Sequence, residues 1–187
     1  MQQAMGFHVQ YPAYCDGQDA CHRFVKANHA GHFQHAYYTL EDVCSGDEIF
    51  CSICNDRHTI TMDPPDVLCI SPSCQPFSAM RSRTESHGKC AENSESHPEY
   101  DVSMDWALQV IKLRNPGITL VEEVKTWMFE RKGQPSPLAE FIAKLKEISP
   151  GCGIAVQSVC QGPWMEGSRP RQLFYCKENV NFMFVFF

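Results

Sequence analysis

Short apolar runs alternate with helical stripes along most of this chain. Residues 66–70 (DVLCI) form a run of the buried-strand type, and the turn formers Ser71-Pro72-Ser73 follow at once. Val102, Trp106, Val110 and Leu113 recur at helical spacing, and Asn115-Pro116-Gly117 closes that helix. Residues 118–121 (ITLV) predict a second buried strand that leads into Glu122 and Glu123. Ser136 before Pro137 reads as an N-cap with proline at the first helical position. Leu138, Phe141, Ile142 and Leu145 then make an apolar stripe that stops at Pro150-Gly151. Residues 153–159 (GIAVQSV) and 172–176 (QLFYC) predict further strands. Near the start, Asp19–His29 predicts a helix with Ala20, Phe24 and Ala27 on its apolar face.

Strands alternating with helices predict an α/β layered fold with a largely parallel sheet. In such sheets ligands bind at the carboxyl ends of the strands. Chemistry is therefore expected at two strand exits, 71–74 and 122–125. The stretch 81–100 (RSRTESHGKCAENSESHPEY) is nearly devoid of apolar residues and predicts a mobile loop.

Composition narrows the picture. A chain of 187 residues with 43% hydrophobic and 20% charged positions fits one globular domain. No apolar run approaches the ~20 residues that span a bilayer. The N-terminal stretch MQQAMGFHVQYPAY has neither a basic nor an apolar segment of the secretory kind. A net charge of −6 argues against a nucleic-acid footprint over the whole surface, though not against a local basic cleft. Eleven cysteines, an odd number without a leader, read as reduced thiols in an intracellular protein. Cys51-Ser-Ile-Cys54, with Cys44 and His58 nearby, comes nearest to a metal pattern, and His29, His32 and His35 add imidazoles at three-residue spacing. These are read as scattered thiols and surface histidines, with no metal ligand assigned. A tetrahedral zinc site is the alternative.

The first strand exit carries the strongest chemical signal. It reads SPSCQPFS over residues 71–78, placing Cys74 in a proline-stiffened turn as an exposed nucleophile. The string closely resembles the PPCQPFS signature of the DNA (cytosine-5) methyltransferases, in which the cysteine is the nucleophile. Other stretches follow in that family's order. Glu122-Glu123-Val124 is similar to the family's ENV segment, so Glu122 matches the catalytic glutamate while Glu123 replaces the asparagine. Arg169 and Arg171 match the arginines of its QxRxR segment, with Gly167 where glutamine is expected. Residues 38–43 (YTLEDV) are similar to its acidic turn near the cofactor, and the segment from Gly6-Phe7 to 27–29 resembles the one after its first strand.

The resemblance covers residues 6–176. It implies an incomplete S-adenosylmethionine-dependent methyltransferase (Rossmann-like) fold, with 1–187 as a single partial catalytic domain. The family's Gly-rich cofactor turn is expected before Gly6, and its target-recognition region is expected to lie outside the chain. The acidic residue that holds the cofactor ribose is not evident, and Tyr14 stands near its place. Asp42 and Pro72 fall at cofactor-binding positions. The implied partner is DNA with a flipped cytosine, and the implied location is the nucleus in a eukaryote.

In the implied chemistry the Cys74 thiolate adds to cytosine C6 and makes C5 enamine-like. Glu122 stabilises the charge that develops at N3. Arg169 and Arg171 hold the base. The base must leave the duplex to be reached, and the 81–100 loop would close over it. Cys74 and Glu122 are accordingly expected to face one cleft from neighbouring parallel strands. Two other classes compete: a non-catalytic remnant that binds nucleic acid or a partner, and a zinc-binding interaction module built on Cys44, Cys51, Cys54 and His58.

Overall fold

The computed structural model describes residues 11–29, 31–59, 63–77, 95, 97–131, 133–160, 170–178 and 181–186. The chain, expected as one domain, divides into two compact units, Met1–Met62 and Asp63–Phe187, and each is taken by itself.

The first unit opens with β1 (Tyr11–Cys15), α1 (Asp19–His29) and β2 (Phe33–Tyr37). The two strands pair in parallel, from Tyr11 opposite Phe33 to Cys15 opposite Tyr37, with the helix as their crossover. Next comes α2 (Leu40–Ser45), capped by the Thr39 hydroxyl, which accepts from the Asp42 amide at 2.9 Å. Gly46, at φ 76°, ends α2 in the left-handed conformation. A hairpin follows, β3 (Glu48–Cys51) antiparallel to β4 (Asp56–Thr59), with Asn55 in the left-handed region at its turn. Tyr37, Ile49 and Cys51 form the buried centre, with Ala13, Cys15, Val43 and Ile53 packed against it.

The predicted helix Asp19–His29 is present, but its inward face is different. Ala20, Phe24 and Ala27 are all exposed, Phe24 by 60%, and the buried residues are His22 and Val25. A histidine goes inside because its polar atoms are satisfied there. Its Nε2 donates to the Asp16 carbonyl at 2.6 Å, so in the neutral ring Nδ1 accepts from the Ser52 hydroxyl, also at 2.6 Å. The ring stacks on Tyr38 with centroids 3.9 Å apart. A count of apolar spacing does not detect a residue buried through its hydrogen bonds.

The second unit contains β5 (Val67–Ile70) and β6 (Ile118–Val124), parallel neighbours in register from Val67 opposite Ile118 to Ile70 opposite Val121. Their connection includes a 3₁₀ turn (Gln75–Phe77), a π-helical turn (Val102–Trp106) and α3 (Ala107–Arg114). Asn115 ends α3 at φ 43° and its amide donates to the Ile111 carbonyl. The wide turn before α3 shifts the expected stripe. Ser103, Met104, Ala107, Leu108, Val110 and Ile111 go inward, whereas Val102 and Leu113 face out. After β6 come α4 (Pro137–Ile148), β7 (Ile154–Cys160), β8 (Pro170–Glu178) and β9 (Asn181–Phe186). The Ser136 hydroxyl caps α4 by accepting from the Ala139 amide at 3.2 Å, with Pro137 in its first turn. Leu138, Phe141 and Leu145 are buried as the stripe predicts.

The sheet runs β5-β6-β8-β7-β9, with further pairings of β9 to β6 and β8. It is mixed rather than largely parallel: β8 is antiparallel to β6, β7 and β9. The apolar end of the chain supplies β9, which lies parallel to β6 with Ile118 opposite Phe182. β6 is longer than predicted, because Glu122, Glu123 and Val124 are paired with β8 and so stay in the strand. No described helix is long and apolar enough to cross a membrane. Among the described residues, Cys15, Cys21, Cys44, Cys51, Cys54, Cys69, Cys74 and Cys152 are in no disulfide.

Candidate functional site

The turn 71–77 leaves the carboxyl end of β5 and is held by alternating anchors. Pro72, Pro76 and Phe77 are buried, while Ser71, Cys74 and Gln75 are exposed. The Phe77 ring meets Tyr100 and Trp127 at 5.8 and 5.9 Å, and Trp127 meets Phe141 at 5.0 Å. The Phe77 amide donates to the Cys74 carbonyl at 3.1 Å and closes the 3₁₀ turn. Polar ties complete the frame. Ser73 donates to the Glu99 carboxylate, Ser103 donates to the Ser73 carbonyl at 2.5 Å, and Thr126 donates to the Phe77 carbonyl. Cys74 is thus presented outward from a turn whose backbone is fixed on both sides.

Glu122 belongs to the neighbouring strand, and the Ser71 hydroxyl donates to its Oε2. The parallel β5–β6 register explains the contact: Ile70 lies opposite Val121, so the next residue of each strand falls at the same exit. Cys74 lies four residues past the end of β5, and Glu122 lies in β6 just beyond the last residue paired with β5.

Glu123, one residue on, points the other way and is buried. Its Oε2 accepts from the Val124 amide at 2.9 Å, and its Oε1 has no hydrogen-bond partner among the described residues. Burial pushes its carboxyl well above the usual range, against the opposing pull of that amide. The two glutamates are thus separated by strand alternation, one at the turn and one in the core.

Arg171 sits on β8 opposite Val124, two positions from Glu122 in the register. Arg169 lies outside the described residues, as does most of the expected loop 81–100. At the described end of that stretch Tyr100 is buried, Glu99 accepts from Ser73, and the exposed Glu95 pairs with Arg131 at 2.5 Å. Buried Arg131 also reaches Glu140 at 2.8 Å, and the Tyr100 hydroxyl donates to the same carboxylate at 3.1 Å. Burial raises the Glu140 carboxyl, but hydrogen bonds from Arg131, Tyr100 and Lys144 outweigh it and hold the group below the usual range. These groups line a cleft of about 530 Å3 that also includes Asp101 and Gln134. The sequence reading missed this arginine, whose partners lie on other elements.

Of the two positions expected to bind cofactor, Asp42 is half-buried in the first turn of α2 and Pro72 is buried in the turn after β5. In the first unit the structure brings together another set. The ligand atoms of His35, Cys51, Cys54 and His58 all lie within 4.8 Å of one another. Cys51 is buried and closes β3, Cys54 is in the hairpin turn, His58 is on β4 and His35 is on β2. Burial pushes the Cys51 thiol up, yet the amides of Cys54 and Ala36 outweigh it and leave the group below its ordinary value. Cys54 is raised by burial and then by Cys51, and His35 is lowered by burial and then by the charge of His58. Cys44, expected with this group, is not among the four, and His35 stands in its place.

No family model matches the chain, and no curated protein or solved structure matches it.

Proposed function

We propose that the turn 71–77 and the β6 exit form the nucleophile and carboxylate arms of a cytosine-C5 methyltransferase site acting on DNA. The observation that carries this reading is the hydrogen bond from Ser71 to Glu122. It joins Ser71, three residues before Cys74 in the nucleophile turn, to the one glutamate that the resemblance marks as catalytic.

Each residue then has a defined task. Cys74, exposed on a fixed backbone, adds as a thiolate to C6 of a flipped cytosine. Glu122, oriented by Ser71, hydrogen-bonds N3 and stabilises the charge that the addition places there. Arg171 and Arg169 are assigned to the base by resemblance. Bound S-adenosylmethionine would supply the methyl group. Loss of the C5 proton then expels the Cys74 thiolate and restores the aromatic base. Asp42 offers a carboxylate acceptor of the kind that ribose hydroxyls or an adenine amine require, and it is half-exposed. Pro72 is an anchor of the nucleophile turn itself. A nuclear location in a eukaryote belongs to the same reading.

The test is covalent capture. The chain joined to the Gly-rich cofactor turn and target-recognition region that the resemblance places outside it, supplied with S-adenosylmethionine and duplex DNA containing 5-fluorocytosine, should give an adduct that survives denaturing electrophoresis, and Cys74→Ser should abolish it. An adduct that persists in Cys74→Ser, or no adduct from the joined chain with Cys74 intact, overturns the proposal.

A further inference from the structure

We propose that His35, Cys51, Cys54 and His58 form a four-coordinate zinc site that clasps the β3–β4 hairpin to β2. This site is independent of the methyltransferase reading, and its role is structural.

The geometry fits the metal. Zinc binds thiolate at ~2.3 Å and imidazole at ~2.0–2.1 Å, so a tetrahedral site places sulfur and nitrogen ligands ~3.6 Å apart. The Cys54 Sγ and His35 Nδ1 are 3.6 Å apart, and all four ligand atoms fall within 4.8 Å of one another. The His35 and His58 rings are 5.1 Å apart and tilted by 58°, so they converge without stacking.

The surroundings are those of a ligating thiolate. Cys51 is fully buried, and its sulfur accepts from the Ala36 amide at 3.4 Å and from the Cys54 amide at 3.5 Å. A neutral thiol is a weak acceptor, whereas a thiolate is served by such donors. His58 supplies a second, independent sign. Its Nε2 is buried with no hydrogen-bond partner among the described residues. A buried imidazole nitrogen ordinarily has a partner, and a metal would be one.

The donor set also selects the ion and the role. Two thiolates and two imidazoles suit zinc and disfavour magnesium or calcium, which take oxygen. Four protein ligands leave no open position for a substrate or an activated water, as in structural sites. The fold has a use for such a clasp. The hairpin and the β1–β2 pair are separate sheets, and the first unit has a small buried core. Among the described residues, the links between β2 and the hairpin include the hydrogen bond from the Ser52 amide to the Ala36 carbonyl at 2.9 Å, the Ala36–Cys51 contact and the Cys54 thiol on the Gln34 carbonyl at 3.7 Å.

The experiment is cobalt substitution of the full chain. Purified without chelator, the protein should carry about one zinc per chain. After removal of the zinc, cobalt(II) should produce intense visible bands of tetrahedral cobalt together with a thiolate charge-transfer band. Cys54→Ser and His35→Ala, both at sites with some exposure, should each weaken cobalt binding by roughly 100-fold. Cys44→Ser should leave the spectrum unchanged. Far less than one zinc per chain with no tetrahedral cobalt spectrum overturns the proposal, as does a spectrum unaffected by both ligand substitutions. Loss of charge-transfer intensity in Cys44→Ser would overturn this ligand set.

Discussion

The Ser71 hydroxyl donates to the carboxylate of Glu122 across 51 positions of sequence. Neither residue could find the other without the parallel pairing of β5 and β6. The contact converts a strand-exit turn and a strand-end acid into parts of one arrangement. Ser71→Ala should leave the fold intact, because Ser71 is exposed, and change melting by no more than a surface substitution does, about 0.5 kcal/mol. In the proposed reaction it should lower kcat by about 10-fold with KM little changed, since it releases a positioned catalytic group. Single-turnover methyl transfer would read this, and an unchanged kcat would remove Ser71 from the positioning role.

Glu123 predicts a stability that depends on pH. Its carboxyl is raised in the folded protein, so the folded state holds the proton more tightly than the unfolded chain does. Above the ordinary carboxylate value the unfolded chain ionises first, and stability falls as pH rises until the folded group also ionises. Glu123→Gln removes this term. The variant should be more stable than the original chain at pH 8, by about 1–2 kcal/mol, and the advantage should vanish by pH 4. Denaturant midpoints at the two pH values test it. An advantage equal at both would exclude the ionisation account.

Arg131 joins Glu95 and Glu140 while itself buried. Arg131→Ala should destabilise the second unit by about 2–4 kcal/mol, less than a fully buried pair because Glu95 is well exposed. The paired Glu140 carboxyl is depressed in the folded state, so its contribution is present above the unfolded value and is lost as pH falls through the folded one. Glu140→Gln should therefore flatten the acid limb of the stability profile. Thermal melts between pH 3 and pH 7 read both effects, and a steeper acid limb in Glu140→Gln would refute the sign.

Gly117 precedes β6 at a close backbone approach. A Cβ there would come within 3.1 Å of the Asp66 carbonyl oxygen, and the Gly117 amide donates to the Pro65 carbonyl at 3.1 Å. The neighbour is backbone, and the same Asp66 oxygen is held to β6 by the Ile118 amide at 2.8 Å, so it yields little. Gly117→Ala should cost about 1–2 kcal/mol through this crowding. Equilibrium unfolding checks it, and a stabilised variant would show that the strand ends can separate freely.

Much of the second unit was legible in the sequence, because caps, turns and periodicity are local properties. Ser136-Pro137 places the start of α4, Asn115 the end of α3, and the apolar runs place β5 and β6 within a few residues. The Cys-Gln-Pro-Phe-Ser string marks its turn for the same reason. Pairing between distant segments is not written locally. It keeps Glu122 and Glu123 in strand, since β8 lies against them, and alternation then sends Glu123 into the core. It sets His35 beside Cys51 and Cys54, where the sequence had pointed to Cys44, because β2 and the hairpin come together through backbone contacts. It turns α1 onto His22, whose burial depends on a carbonyl and a hydroxyl supplied by other segments. The sequence by itself determined where elements begin, end and carry reactive groups. Tertiary structure alone decided which of those groups meet, because such meetings depend on strand register and on hydrogen-bond partners many residues away.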